Sequence, residues 1–480
     1  MIVLAPESRP AIGRVALLVP RWTDACEREP QGVPFRSFTL GGAFLAAGYE
    51  VVFFDQEHDL DRRDRFDEFT DELDGCLAAF IWLNEMYPSN QCHNLDRLAA
   101  RLKRSRPAMP VIAGGEFLTV CPPDFLDVET PVDFFLRGYG EAPGLRLLER
   151  LAAGLAVDDV PGLVWRDRAG VLRHNPPPAE PDFVPEYLAL YRRLDLSCYV
   201  QTGGVFGNDR PTLTLATGRG CTKGCRFCAW SRHPSRILGA TETFELMVDL
   251  RDRYGVLQFH LGELDFFMSP TRALALARLI KERAPDLVWF ALGSPIDLVK
   301  LSDADWDLLR DGGLRKVEMG SESASPDLLR HIGKRHVAED IFVVSRQMIS
   351  RGIVPMQNFL FGFPGETHAD RRDSLRMIER LARLSIECHH FTYRYYQPVW
   401  GTGLGDLALA HDVDRPRRLD AWLADRARYV DESARTMPWL PVADEREVKE
   451  LVNFVLPLAT SRQVFRSRFR RLLYALLRAA

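Results

Sequence analysis

Apolar residues follow two rhythms along this chain. Short apolar runs, buried-strand in character, alternate with stretches in which apolar positions recur every three or four residues, the spacing of a helix with one buried face. Over the first 150 residues the strand-like runs are Val15–Val19, Tyr49–Phe54, Ala78–Leu83 and Pro110–Ala113, with helical spacing over 40–47 and 94–104. This order predicts an α/β fold with a doubly wound parallel sheet, whose ligand crevice lies beyond the C-terminal ends of the strands. From Arg210 the alternation resumes. Thr212–Ala216, Leu257–Leu261, Val288–Ala291, Lys316–Met319, Pro355–Leu360 and His389–Tyr395 read as strands, with helices over 270–284, 303–311, 338–351 and 368–384, about six strand–helix units in all. Barrels of such units carry their sites at the C-terminal ends of the strands.

Between the two runs the rhythm is lost. Pro161-Gly162, the short β-like Leu163-Val164-Trp165 and the proline-rich Pro176–Pro181 mark a connector over 155–205, a spacer more than a site. Helical spacing returns at Arg415–Arg435 and Asp444–Val455. Ser461–Tyr474 is basic and amphipathic, which suits a helix docked on the rest of the protein or one lying on a membrane surface. The expected organisation is a sheet domain over 1–154, a linker over 155–205, a core over 206–405 and a helical region over 406–480.

Composition narrows the class. In 480 residues, 46% hydrophobic and 27% charged content gives material for two to four globular domains, and a net charge of −4 offers no basic excess for nucleic acid. No run is apolar enough for a transmembrane helix, and Met1–Glu7 lacks the basic start and long apolar core of a signal peptide, so the expectation is a cytoplasmic protein. Six of the nine cysteines are scattered (26, 76, 92, 121, 198, 388), as reduced thiols are, not as a disulfide framework.

The other three stand together in Cys221-Thr222-Lys223-Gly224-Cys225-Arg226-Phe227-Cys228. Three thiolates on two short spacers, with Gly218, Gly220 and Gly224 for tight turns, suit a cubane iron–sulfur cluster better than a tetrahedral ion. Zinc would require a fourth ligand, and His233 is the nearest histidine. A [4Fe–4S] cluster with three protein ligands leaves one iron open to a cofactor or substrate.

This spacing, with the aromatic Phe227 before the last cysteine, resembles the signature of the radical S-adenosylmethionine (SAM) superfamily. The resemblance implies a partial (βα)6 barrel whose open iron chelates SAM and delivers an electron to its sulfonium, giving methionine and a 5′-deoxyadenosyl radical. It also implies that Glu263 or Asp265, after the second barrel strand, meets the SAM ammonium group. Met319–Ser325 is similar to the family turn in which Glu322 and Ser323 would bond the SAM ribose or carboxylate, with Lys334 matching the lysine that follows. Gly362-Phe363-Pro364-Gly365-Glu366-Thr367 matches a family turn after the fifth strand, where Gly362 and Gly365 would admit the adenine. Gln397–Leu404 resembles the segment that follows the sixth.

The first half resembles the cobalamin-binding-like domain that precedes the core in one subgroup. Gly48–Val51 with Asp55, the Gly114-Gly115 turn and Asp133–Glu141 carry that likeness, with Tyr139 a departure. No Asp-x-His-x-x-Gly follows the first strand, so no axial histidine for cobalt is supplied, and Trp22 and Trp82 stand near the strand tips. The implied activity is radical functionalisation of a small molecule, as cobalamin-dependent methyl transfer to carbon or phosphorus in natural-product (antibiotic) biosynthesis. A cobalamin-free dehydratase, rearrangement or ring-forming enzyme is the alternative, and a non-enzymatic iron–sulfur protein the remote one. RNA methylthiolation is disfavoured, since further N-terminal cluster cysteines and an RNA-binding C-terminal domain are not evident. The implied partners are the substrate and a one-electron reductant of the flavodoxin or ferredoxin class. Two further clusters stay open: Tyr393, Tyr395, Tyr396 and Trp400 suit core packing or an aromatic wall, and of His389 and His390 only one can face the barrel interior.

Overall fold

A computed structural model describes residues 2–7, 10–21, 33–56, 66–84, 90–176, 185–202, 210–231, 233–385, 389–411, 418–424 and 436–461. The chain divides into two compact units, Met1–Leu213 with Arg415–Val430, and Thr214–Asp414 with Asp431–Ala480.

The first unit is built on an eight-stranded sheet: β1 (Ile2–Leu4), β2 (Gly13–Val19), β3 (Tyr49–Asp55), β4 (Cys76–Leu83), β5 (Val111–Gly115), β6 (Phe134–Leu136), β7 (Leu163–Arg166) and β8 (Leu172–His174), ordered β1-β3-β2-β4-β5-β6-β7-β8. The centre from β3 to β6 is parallel. Its strands are continuous apolar runs because helices bury both faces. Val15–Val19 and Ala78–Leu83 are accordingly buried throughout. Order reverses at β2, which has β3 on one side and β4 on the other, the topological switch point at which such sheets bind ligands. Both edges are antiparallel, β1 on β3 and the hairpin β7–β8 on β6. Residues 163–174, expected within the connector, thus extend the sheet. Leu163 and Val164 are buried while Arg166, Arg173 and His174 are exposed, as suits the outer edge of a sheet. The proline run, Trp22, Cys26 and Cys388 lie outside the described residues.

The second unit holds a six-stranded sheet in the order β16-β15-β14-β13-β12-β9, from β9 (Thr212–Leu215) through β12 (Gln258–Leu261), β13 (Val288–Gly293), β14 (Leu314–Glu322) and β15 (Val354–Phe361) to β16 (His390–Tyr395). Strands β12 to β16 are parallel, and sequence order equals spatial order, as in a barrel that stops short of closure. Helices Ala240–Tyr254, Pro270–Arg283, Asp303–Asp311, Ala338–Ile349 and His368–Ser385 make the crossovers. A hairpin of β10 (Gly218–Cys221) and β11 (His233–Ile237) is inserted after β9.

Burial along β15 alternates without exception: Pro355, Gln357, Phe359 and Phe361 are buried, while Val354, Met356, Asn358 and Leu360 are half-exposed. The buried set faces the helices, since Gln357 bonds Ser321 Oγ and, through Nε2, Ser345 Oγ on the helix Ala338–Ile349 at 2.7 Å. The half-exposed set therefore lines an open lumen, not a filled barrel core.

A helical C-terminal part covers the β16 side. Val442–Glu450 runs into a π-turn over Leu451–Val455 and the short helix Leu456–Ala459. Met437, Leu440, Val448, Leu451 and Leu456 pack with Phe359, Phe361 and Tyr395 in one core, and the fully buried Arg371 bonds Asp444 and Glu447. An otherwise bare edge strand is shielded in this way. The basic stretch beyond residue 461 lies outside the described residues.

Candidate cofactor site

The cysteine loop leaves the end of β10. Gly220 (φ 77°) occupies the irregularity between Arg219 and Cys221, and Gly224 (φ 82°) turns the chain back, both in backbone conformations that a side chain strains. A turn over 331–335 clamps the loop. Arg226 N donates to Ile332 O at 2.9 Å, Arg226 to His331 O at 3.0 Å and Arg335 to Lys223 O at 2.8 Å. On the other side Leu404 N donates to Arg226 O at 3.1 Å, so Gln397–Leu404 serves as a brace. Ser231 Oγ donates to Cys225 O at 2.7 Å.

Burial pushes the thiols of Cys221, Cys225 and Cys228 up, Cys228 to about 11. A metal that takes them as thiolates removes that penalty. Among the described residues no three His, Cys, Asp or Glu side chains converge on one ion position, and the side chain of His233 lies outside them. Thiolates that bind separate irons of one cluster need no such convergence.

Around the loop stand charged groups that the fold holds on purpose-built supports. Glu322 is the only non-glycine residue with positive φ (60°) among those described, at the irregular end of β14. That conformation costs on the order of 1–2 kcal/mol and turns the side chain toward Lys334, whose Nζ lies 3.2 Å from Glu322 Oε1 and donates to Gly320 O at 2.8 Å. A Cβ at Gly320 would sit 2.8 Å from Glu322 Oε1 and 2.9 Å from Lys334 Nζ, so the glycine makes room for the ion pair. Burial works against the Lys334 ammonium, but Glu322 and Cys225 beside it hold its pKa above the usual lysine range. The same ammonium stands 5.8 Å over the ring of Phe227, whose other neighbour is Phe363, 5.5 Å away.

The two acidic candidates after β12 have different surroundings. Glu263 is buried in a fork with Arg272 (2.8 and 2.9 Å) and also accepts from Thr217 Oγ1. Arg272 lies in the first turn of Pro270–Arg283, where the helix dipole disfavours a cation, and Glu263 accounts for it. Asp265 accepts from Ser294 Oγ at 2.6 Å through Oδ2, which is 3.5 Å from Lys223 Nζ, and Lys223 is itself paired with Asp297. Its other oxygen, Oδ1, is buried with no partner. Burial pushes the Asp265 carboxyl up, opposed first by Lys223. Arg272, Ser294 and Asp297 were not among the candidates. Arg272 alone had a sequence signal, a cation in a helix first turn nine residues after an acid.

Ser323 points away from Glu322. Its Oγ lies 2.9 Å from Ser374 Oγ on the helix His368–Ser385, a helix-docking contact. Gly362 (φ 87°) has a local packing reason, since a Cβ there would lie 2.5 Å from Met437 Sδ, and its carbonyl accepts from Trp439 Nε1 at 2.8 Å. Gly365 (φ 80°) completes the turn, which Glu366 closes by accepting from the N–H groups of Gly362 and Phe363. Burial pushes Glu366 up to about 8. Tyr396 stacks on Phe363 at 4.9 Å and Tyr395 lies in the C-terminal core, so these aromatics pack. His389 is buried on Ser385 O (2.6 Å), whereas His390 pairs in register with the lumen-facing Met356.

In the first unit, Gly114 and Gly115 lie at the C-terminal end of β5. A Cβ at Gly114 would be 2.1 Å from the Trp82 ring, one at Gly140 2.3 Å from it, and one at Gly115 2.0 Å from Leu83 O. The buried indole of Trp82 fills the cradle these glycines make. Beside it Arg36 pairs with Glu116 (2.5 Å) and stacks on Tyr139 (4.8 Å).

A model of the radical SAM superfamily matches residues 215–378. The chain is 27% identical over 308 residues to an uncharacterized methyltransferase of Pyrococcus horikoshii, covering 63% of this chain and 64% of that protein's length. It is 25% identical over 381 residues to the anaerobic magnesium-protoporphyrin IX monomethyl ester cyclase of Synechocystis, covering 75% and 72%. Its fold is similar to that of the radical SAM methyltransferase TsrM from Kitasatospora setae, solved with cobalamin and a [4Fe–4S] cluster, with a TM-score of 0.64, 20% identity and coverage of 83% of this chain and 74% of that one. Residues 215–378 thus form a domain of the radical SAM superfamily, whose members use a [4Fe–4S] cluster and SAM.

Proposed function

We propose that this enzyme cleaves SAM at a cluster held by Cys221, Cys225 and Cys228 and uses the resulting radical for methyl transfer to a small molecule. The observation that carries the SAM site is Asp265 Oδ1, a buried carboxylate oxygen left without a partner beside the three-thiol loop. An α-ammonium group is the donor that would complete it, and Glu263, neutralised by Arg272, does not compete. Glu322 and Lys334, with Phe227 beneath the ammonium, would bind the ribose or carboxylate of SAM. When bound, the cluster supplies one electron to the SAM sulfonium, and this chain's part is to orient SAM and exclude water.

Methyl transfer is supported by the name of the Pyrococcus relative and by a doubly wound sheet placed before the barrel. Cobalamin is the carrier we propose. The described residues supply no axial histidine at the strand ends, and Trp82 occupies the Gly114–Gly140 cradle, so they do not fit a cobalamin that needs either. The cyclase relative supports the second reading, cobalamin-free ring formation. A natural-product substrate, a cytoplasmic location and a flavodoxin- or ferredoxin-class reductant complete the proposal, and the described cysteines form no disulfide. Among the described residues no helix is long and apolar enough to cross a membrane.

Anaerobic reconstitution with hydroxocobalamin, desalting and an absorption spectrum discriminate between the two readings. Stoichiometric retention supports cobalamin-dependent methyl transfer, whereas none retained from a micromolar excess favours the cobalamin-free enzyme.

A further inference from the structure

The lumen of the barrel contains a polar pair that the cofactor site does not use. Glu318 on β14 and Asn358 on β15 belong to the lumen-facing sets, and Asn358 Nδ2 donates to Glu318 Oε1 at 2.7 Å. That bond fixes the amide, because a carboxylate only accepts and the nitrogen must face it. The carbonyl oxygen Asn358 Oδ1 then points elsewhere, and it is buried with no partner. A buried acceptor left open costs about 1–3 kcal/mol, so it calls for an occupant or a use.

Its place in the fold indicates the use. Asn358 is level with Gly320 on β14 and Thr392 on β16, and Gly320 O accepts from Lys334, which pairs with Glu322. Glu318, Asn358, Gly320, Lys334 and Glu322 form one polar column from inside the lumen up to the cysteine loop. Around it Leu292, Met356 and Leu360 are half-exposed and apolar. Such a chamber takes the carbon skeleton of a small molecule and orients it by a few polar contacts. Lower in the lumen, Phe290 carries His260 stacked at 4.5 Å and Lys316 5.3 Å away, and this aromatic floor closes the column.

We propose that Asn358 Oδ1 and the Glu318 carboxylate bind a hydrogen-bond donor of the substrate, an amine or hydroxyl, and so hold the substrate beneath the SAM site. This rests on the barrel's being the reaction chamber, and it adds to that the polar class of the substrate. In that place Asn358 Oδ1 and the Glu318 carboxylate offer acceptors, which a donor group of the substrate would satisfy.

The test is binding to the reconstituted full chain, without SAM or turnover, by titration calorimetry or ligand-detected NMR. The probes are benzylamine, benzyl alcohol and their apolar analogue ethylbenzene. Benzylamine and benzyl alcohol should bind the unaltered protein more tightly than ethylbenzene. Asn358→Leu should weaken both donors about tenfold and leave ethylbenzene unchanged. Glu318→Gln, which keeps an acceptor for Asn358 Nδ2, should lower the preference for benzylamine over benzyl alcohol, and it carries the test should Asn358→Leu not fold. Donors that bind no better than ethylbenzene, or a benzylamine preference unchanged in Glu318→Gln, would overturn the assignment. SAM cleavage that persisted in that case would leave the cofactor site standing.

Discussion

Glu263 and Asp265 are two residues apart and face different problems. The first is a buried anion with a bidentate cation, the second a buried anion with half its acceptor capacity open. Glu263→Gln should therefore act on stability. It leaves Arg272 buried without its counter-ion, a loss of about 3–5 kcal/mol that chemical denaturation would read, with little change in SAM affinity at temperatures where the protein is folded. Asp265→Asn should do the reverse. Loss of a charge-assisted bond to an ammonium weakens SAM binding about 10- to 100-fold, measurable by equilibrium dialysis, while iron content holds. Glu322→Ala should also weaken SAM binding and spare the iron, since Glu322 pairs with Lys334 and supplies no thiolate to the cluster. Unchanged affinity in both variants would mean that the pocket is misplaced.

At the scale of elements, turns are held by specific contacts. In the strand–turn–helix joint 362–367, Glu366 has a pKa of about 8 in the fold, above its unfolded value. Its stabilising effect is thus fully present below the unfolded pKa and lost as pH rises through about 8. Glu366→Gln removes the titration. Its stability relative to the parent should rise between pH 5 and 8 by at most about 1.4 kcal/mol per pH unit, a trend that melting curves across that range would check. The β5 turn gives a second case. Gly114→Ala drives a methyl into Trp82 and should cost about 1–3 kcal/mol, and combining it with Trp82→Ala should give a sum smaller than the separate costs. Strict additivity in urea unfolding would contradict the cradle.

These turns also mark how far the sequence could be read. Strands such as Val15–Val19 and Ala78–Leu83 were legible because burial on both faces leaves a continuous apolar run. The helices 303–311 and 338–351 were legible from periodicity, to within two residues. The β10–β11 hairpin and the edge strands β1 and β8 were not, since such short strands carry too few positions to show a period, whereas the β-like Leu163-Val164-Trp165 of β7 was legible as a strand but was placed in the connector. Of the candidate site residues, spacing identified the cysteines. It could not separate Glu263 from Asp265, because Arg272, Lys223 and Ser294 reach them from other elements. Nor could it foresee that Ser323 turns to Ser374, or that Gly114 and Gly362 accommodate a tryptophan and a methionine.

The chain joins a doubly wound sheet to an open radical SAM barrel whose lumen-facing residues on β15 are half-exposed. Everything proposed for the lumen and for the first unit depends on the cluster. The most direct measurement is therefore on anaerobically reconstituted, dithionite-reduced protein given SAM, with iron and 5′-deoxyadenosine quantified. The assignment predicts one [4Fe–4S] cluster per chain and slow release of 5′-deoxyadenosine and methionine without substrate, both abolished when Cys221, Cys225 and Cys228 are changed together to Ala and both retained when Cys76 is changed. Four irons and continued SAM cleavage in the triple variant would contradict it.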